Sequence, residues 1–382
     1  MSGTSSSACR HDSWWRAYLA RRLELRSTRD RRASFRGMEC SRSQHRILLH
    51  RKRRAALRCL MRSLLPDSPS VAVIGAGAVG AFYGSMLQRY GLPVAYMSAT
   101  MAKTKYLEVR SPWASYTLPV QCFASSQQME PADLVIVSIK ALPDLDPFAL
   151  VSPVLKKNGI LLLLQNGINQ EERYAAHFRR SALRPVILGG LAFTCINRIS
   201  AKRIDHIDYG MVKIGALHTE QNPLARQVAE LFQNAGIQSE FVPKLRRARY
   251  EKLLWNAAYN TLSVLLQADT DPIVSNAQTA DLSLRIMREI QAVAAAENIK
   301  LSNATLRDML DRTKRMRPYK TSMLLDYEAG RPMEIDIILG EPIRMARKRK
   351  IEVPHLQMAH DLLQFYDRRS AINKETHSKK KS

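Results

Sequence analysis

Three glycines carry the first chemistry in this chain. Gly75, Gly77 and Gly80 stand in a Gly-x-Gly-x-x-Gly spacing directly after the apolar run Val71–Ile74. A buried strand that runs into such a turn and then into a helix is the arrangement that holds a dinucleotide. Gly75 permits the tight turn, Gly77 leaves room for a pyrophosphate against the backbone, and Gly80 lets the helix lie close on the strand. The backbone of Ala76, Ala78 and Val79 completes the cradle. The N–H groups at the helix start then face the phosphates, aided by the helix dipole. A structural turn is the bland alternative, and the strand before and helix after the glycines favour a dinucleotide site.

A second set of polar residues lies far downstream. Lys252, Asn256 and Asn260 occur at i, i+4 and i+8, so a helix would gather an ammonium and two carboxamides on one face. That face could be a solvated polar stripe. Its neighbours Leu253, Leu254, Trp255, Ala257, Ala258 and Tyr259 are apolar almost all round, which describes a largely buried helix whose polar groups need partners. Lys140 closes one apolar run and Gln165-Asn166-Gly167 closes another. A lysine in that position is equally a surface residue, and Asn is an ordinary turn former. Ser322 and Asp336 could each cap a helix. Glu334 is harder to explain, because Met333 and Ile335 flank it just before an apolar helix.

The elements that must position these residues follow from the apolar pattern. After the first strand, turn and helix (Ala78 to about Gln88), strands are expected at Pro93–Ser98, Tyr116–Phe123, Asp133–Ile139, Gly159–Gln165 and Val186–Ala192. A helix is expected at Leu145–Lys156. Unalternating apolar strands separated by helices imply a parallel sheet covered on both faces, with its ligand crevice at the strands' carboxyl ends. Short β pieces at Ile204–Ile207 and Met211–Ile214, a helix at Pro223–Ala235 and a strand at Gln238–Val242 come next. From Lys244 the chain reads as helical almost to its end.

Taken in order, the glycine turn, the strand ending in Lys140, the Gln-Asn166-Gly turn, the Lys252/Asn256/Asn260 face, Ser322-Met-Leu-x-Asp326 and Glu334-Ile-Asp-x-x-x-Gly340 resemble the ketopantoate reductase (2-dehydropantoate 2-reductase) family. The similarity covers about residues 70–367. It implies an α/β fold: an N-terminal Rossmann-type parallel sheet with an all-helical C-terminal domain like that of 6-phosphogluconate dehydrogenase. The implied partition is a basic extension at 1–66, an NADP-binding domain at 67–240, a helical substrate and catalytic domain at 241–370, and a basic tail at 371–382. It also implies NADPH-dependent reduction of 2-dehydropantoate to (R)-pantoate, on the route to pantothenate and coenzyme A. By this resemblance Lys252 is the general acid and Glu334 orients it or a substrate hydroxyl. Asn256, Asn260 and Ser322 bind substrate, and Lys140 and Asn166 meet the nicotinamide-ribose side of the cofactor. The implied cofactor is NADP. No acidic residue follows the second strand, where Ser98-Ala99-Thr100 stands, and a carboxylate there would repel a 2′-phosphate. Family members often carry an Arg at the place of Ala99; here Lys103 or Lys105 is the expected phosphate contact.

The formal charge of +25 is uneven. Residues 1–66 hold seventeen Arg or Lys against four acids, and this segment reads as disordered or only partly helical. An organellar transit peptide, a basic arm for nucleic acid or anionic membrane, and an extension outside any folded unit with translation starting at Met38 or Met61 all fit it. The last is the reading adopted, with a cytoplasmic protein expected and an organelle the alternative. No apolar run approaches the ~20 residues of a membrane span. Cys9, Cys40, Cys59, Cys122 and Cys195 contain no CxxC pair, so neither disulfide nor metal site is expected. A reductase of another 2-keto acid is the nearer functional alternative, and a cofactor-binding regulator that uses the arm on nucleic acid is the remoter one. The presence of Lys252, Asn256 and Glu334 together argues against the regulator. The expected partner is a small 2-keto acid; a homodimer is left open.

Overall fold

The computed structural model describes residues 65–379, with side chains through residue 367. Almost all of the basic extension, with Cys9, Cys40, Cys59 and both alternative start sites, lies outside the described residues.

The core strands are β1 (Val71–Ile74), β2 (Val94–Met97), β5 (Gln121–Phe123), β6 (Ala132–Val137), β7 (Leu155–Leu163) and β8 (Val186–Arg198). They lie parallel in the spatial order β5-β2-β1-β6-β7-β8. This is the dinucleotide-binding order, with the direction of winding reversed between β1 and β6. Alternation along β1 explains why its residues are small and apolar throughout. Val71 and Val73 enter one core with helices α1 (Ala78–Arg89) and α4 (Asn222–Asn234). Ala72 and Ile74 enter the opposite core with Val135, Leu161, Leu163 and Tyr174. Tyr174 lies on α3 (Gln170–Phe178).

Two strand expectations and one helix expectation are corrected. Tyr116–Phe123 is not one strand: β4 (Tyr116–Pro119) runs antiparallel to β3 (Tyr106–Arg110), and β5 then joins β2. The Val120 N–H still donates to the Lys105 carbonyl at 2.9 Å before the chain crosses to β2. The two pieces after Ile204 are one strand, β9 (Arg203–Ala216), antiparallel to β8. Tyr209 (φ 60°) and Gly210 (φ 109°) form an irregularity inside it, which reads as a break in sequence. The helix expected at Leu145–Lys156 shrinks to α2 (Pro147–Val151), capped by Asp146. A 3₁₀ turn at Ser152–Val154 follows, and β7 begins at Leu155. A short β10 (Ser239–Phe241) pairs with β9.

Beyond its pairing with β7, which ends at Gly189, β8 continues with β9, whose far end pairs with β3, and this hairpin packs against α1. Tyr83 of α1 donates to the Gly210 and Met211 carbonyls at 3.3 Å, and the Phe82 and His206 rings sit 4.6 Å apart.

The rest is helical: α5 (Leu245–Trp255), α6 (Thr261–Leu266), α7 (Thr270–Ser275), α8 (Ala277–Ala296), α9 (Asn303–Arg315), α10 (Ser322–Glu328), α11 (Glu341–Arg349) and α12 (Pro354–Lys379). The last helix continues through residues 371–379. These helices enclose their own core of Leu253, Leu254, Tyr259, Ile286, Ile290, Leu356 and Leu363. Two wide π turns interrupt the helices, Asn256–Asn260 between α5 and α6 and Asp336–Gly340 before α11. Among the described residues, no helix is long and apolar enough to cross a membrane.

Candidate active site between the sheet and the helices

The glycine turn has the geometry its spacing foretells. Gly75 adopts φ 88°, and a Cβ there would meet the Ile139 backbone nitrogen at 2.6 Å. A Cβ on Gly80 would meet the Gly75 carbonyl at 2.7 Å. Gly77 differs: its Cβ would find nothing nearer than 3.8 Å, so this position faces open space. The first N–H groups of α1, on Ala78, Val79 and Gly80, have no intrahelical acceptor, and no side chain caps them. An open approach over Gly77 and uncapped donors beside it fit the pyrophosphate of a dinucleotide.

The carboxyl ends of β6 and β7 meet the helices beside this turn. Gly167 (φ 89°) lies so near the second π turn that a Cβ would stand 2.8 Å from the Ile337 carbonyl. The close approach joins three of the expected residues. Lys252 Nζ donates to Asn166 Oδ1 at 3.1 Å, and Asn166 Nδ2 donates to Glu334 Oε2 at 2.9 Å. Glu334 Oε1 accepts from the Ala141 backbone N–H at 3.0 Å. The carboxylate can only accept, so it fixes the orientation of the Asn166 amide and turns its oxygen toward Lys252. Glu334 therefore acts on Lys252 through Asn166 rather than by direct contact.

Burial lowers the Lys252 ammonium from its usual range to about 7, with the nearby Arg249 guanidinium adding to the fall and Glu334 opposing it. Lys252 also stands 5.4 Å above the Phe193 ring.

The other expected residues divide. Asn256 and Asn260 are buried within the first π turn. The Asn256 carboxamide has no hydrogen bond among the described residues, and Asn260 Oδ1 is buried without a donor. Spacing assumed an α-helix here; the wider turn with its i→i+5 bonding is a common feature of functional sites. Ser322 is exposed at the start of α10 and its hydroxyl has no partner among the described residues. It is not the cap: Thr321 accepts from the Leu324 N–H at 3.2 Å. Asp336 does not cap either; it faces His360 at 3.5 Å and Arg344 at 4.0 Å. Lys140 crosses to the helical side, donating to the Pro332 carbonyl at 2.9 Å and pairing with Asp326 at 2.7 Å. Its amine is thus held by Asp326 rather than left in the crevice. Lys103 and Lys105 are exposed, with no side-chain bond among the described residues.

A profile of the family described as "Ketopantoate reductase PanE/ApbA" matches residues 71–219, and that of "Ketopantoate reductase PanE/ApbA C terminal" matches residues 244–367. A 2-dehydropantoate 2-reductase of Nostoc sp. is 34% identical over 318 residues, 80% of this chain and 97% of its own.

The chain belongs to the ketopantoate reductase family.

Solved members share the fold. The 2-dehydropantoate 2-reductase of Geobacter metallireducens superposes with TM-score 0.73 at 32% identity, covering 77% of this chain and 99% of that one. That of Methylococcus capsulatus gives 0.70 at 32% identity, with 79% and 97% covered. The family is one of oxidoreductases that use a nicotinamide cofactor.

Two residues of the site escape sequence reasoning. Arg249 is buried one helical turn before Lys252. It pairs with the buried Glu171 and donates to the carbonyls of Gln165 at 2.6 Å and Leu163 at 3.0 Å. It thereby ties the helix that carries Lys252 to the end of β7 and the turn after it that carries Asn166. In the sequence it stands close behind Arg246 and Arg247, where it cannot be told from the charges of a solvated face. The second is Arg198, which reaches the glycine turn from the end of β8.

Proposed function

We propose that this protein reduces 2-dehydropantoate to pantoate with NADPH. The observation that carries the reading is the Lys252–Asn166–Glu334 chain of hydrogen bonds beside the open glycine turn. The names of the related enzymes support the substrate, and the lack of a carboxylate after β2 supports NADPH over NADH.

The cofactor, when bound, would supply a hydride to the ketone carbon. The carbonyl oxygen then gains charge and needs a cation and a proton. Lys252 offers both, and an ammonium that titrates at about 7 is matched to proton transfer at neutral pH. Asn166 occupies one ammonium hydrogen and leaves two for the substrate oxygen. The unpaired Asn260 oxygen is an acceptor, suited to the substrate's hydroxyl. The Asn256 amide can hold the attacked carbonyl, and the free Ser322 hydroxyl the carboxylate.

Steady-state kinetics with 2-dehydropantoate and NADPH, beside a panel of other 2-keto acids, tests this reading. Lys252→Ala should lower kcat by ~10²–10⁴-fold, the usual worth of general acid catalysis, while NADPH affinity is kept. Near-normal turnover in a folded Lys252→Ala protein would refute it.

A further inference from the structure

Arg198 ends β8, on the hairpin that folds over α1. Its Nη2 donates to the Ala76 carbonyl and, at 2.9 Å, to the Gly77 carbonyl, and lies 3.1 Å from Met101 Sδ. Nη1 reaches the Ser200 and Ala201 carbonyls at 3.4 Å each. Nε is buried with no acceptor. No carboxylate pairs with this guanidinium among the described residues. A cation withdrawn from water and met only by neutral groups costs stability, and a planar guanidinium with an unused donor is shaped for an oxyanion.

Its position says which oxyanion. One side of the guanidinium touches the glycine turn that would hold the pyrophosphate. The same nitrogen, Nη2, also touches Met101, whose N–H closes a turn on the Ser98 carbonyl at 3.1 Å. That turn follows β2, where a dinucleotide's adenine ribose presents its 2′ substituent. It contains no carboxylate, and its Ser98 and Thr100 hydroxyls lie 3.0 Å apart as further donors.

We propose that Arg198 is the residue that reads the 2′-phosphate of NADPH, exchanging its carbonyl contacts at the glycine turn for the phosphate oxygens. It does so in place of an Arg after β2, where Ala99 stands, and in place of Lys103 or Lys105. The inference rests on the NADPH reading above, but it concerns the nucleotide end alone and does not depend on the keto acid.

The test is calorimetric titration of the full chain with NADPH, NADH, adenosine 2′,5′-bisphosphate and 5′-AMP. Arg198→Gln should weaken NADPH and the bisphosphate by about 10–100-fold, the loss of one or two charge-assisted bonds, and leave NADH and AMP unchanged. The Lys103→Ala/Lys105→Ala protein should keep the wild-type preference. Equal weakening of all four ligands would reduce Arg198 to a brace of the glycine turn and overturn the proposal. So would an unchanged preference in Arg198→Gln, or its loss in the double lysine variant alone. Should Arg198→Gln melt early, Arg198→Lys, which keeps the charge but loses the fork, must still lower the NADPH-to-NADH affinity ratio; an unaltered ratio there also overturns the proposal. Turnover of 2-dehydropantoate by the unmodified protein is read separately. Its absence beside an intact, Arg198-dependent preference would sink the substrate reading and leave this one standing.

Discussion

Glu334→Gln should move the pH dependence of reduction rather than merely lower it. Burial and Arg249 push the Lys252 ammonium down to about 7, and Glu334 holds it up. In the reaction proposed above the ammonium is the active form, so the rate is full below that value and falls as pH rises through it. Two hydrogen bonds of 3.1 and 2.9 Å and the carboxamide between them separate the charges. That path spans at most about 8 Å, and at an effective dielectric of ~20 the attraction is ~2 kcal/mol, or ~1.5 pH units. Water in the open crevice screens part of this, so the fall in kcat/KM should begin about one unit lower in Glu334→Gln. A glutamine also has only one oxygen, and cannot accept from both Ala141 and Asn166 as the carboxylate does. That loss of positioning lowers the plateau without moving the inflection, so the two effects separate in one experiment. The assay is the rate of NADPH oxidation from about pH 5 to 9, the ordinary window for a bell-shaped profile, with thermal melting as a check on folding. An inflection that stays put in Glu334→Gln, or a wild-type profile with no fall across that range, would refute the charge chain from Glu334 to Lys252.

Gly77→Val should abolish cofactor binding in fluorescence titration with little change in melting temperature, because its side chain would enter open space over the turn. Gly80→Val should instead destabilise the fold, since the Gly75 carbonyl stands 2.7 Å from its Cβ. Arg249→Met leaves Glu171 buried and unpaired, which typically costs ~3–5 kcal/mol. Chemical denaturation should show that loss, and Arg249→Met/Glu171→Leu should recover much of it.

The legible part of this protein is what neighbouring residues encode. The glycine turn is legible because its strand, turn and helix lie within about twenty residues, and each glycine answers a local steric demand. The buried parallel strands are legible because a sheet covered on both faces needs apolar residues at every position. Lys252, Asn256 and Asn260 announced themselves as polar groups on an apolar helix. The tertiary structure decided what those groups touch. Helix propensity is blind to the π turn at Asn256–Asn260, because it does not distinguish this wider turn from an α-helix. Lys140 meets Asp326, and Glu334 meets Ala141 and Asn166, only because the sheet's carboxyl edge docks on the helices. Arg198 and Ala76 lie 122 residues apart and share no pattern in the sequence. Their contact exists because β8 runs on past β7 with β9 and packs over α1, and a contact of that range is set by topology rather than by any local period.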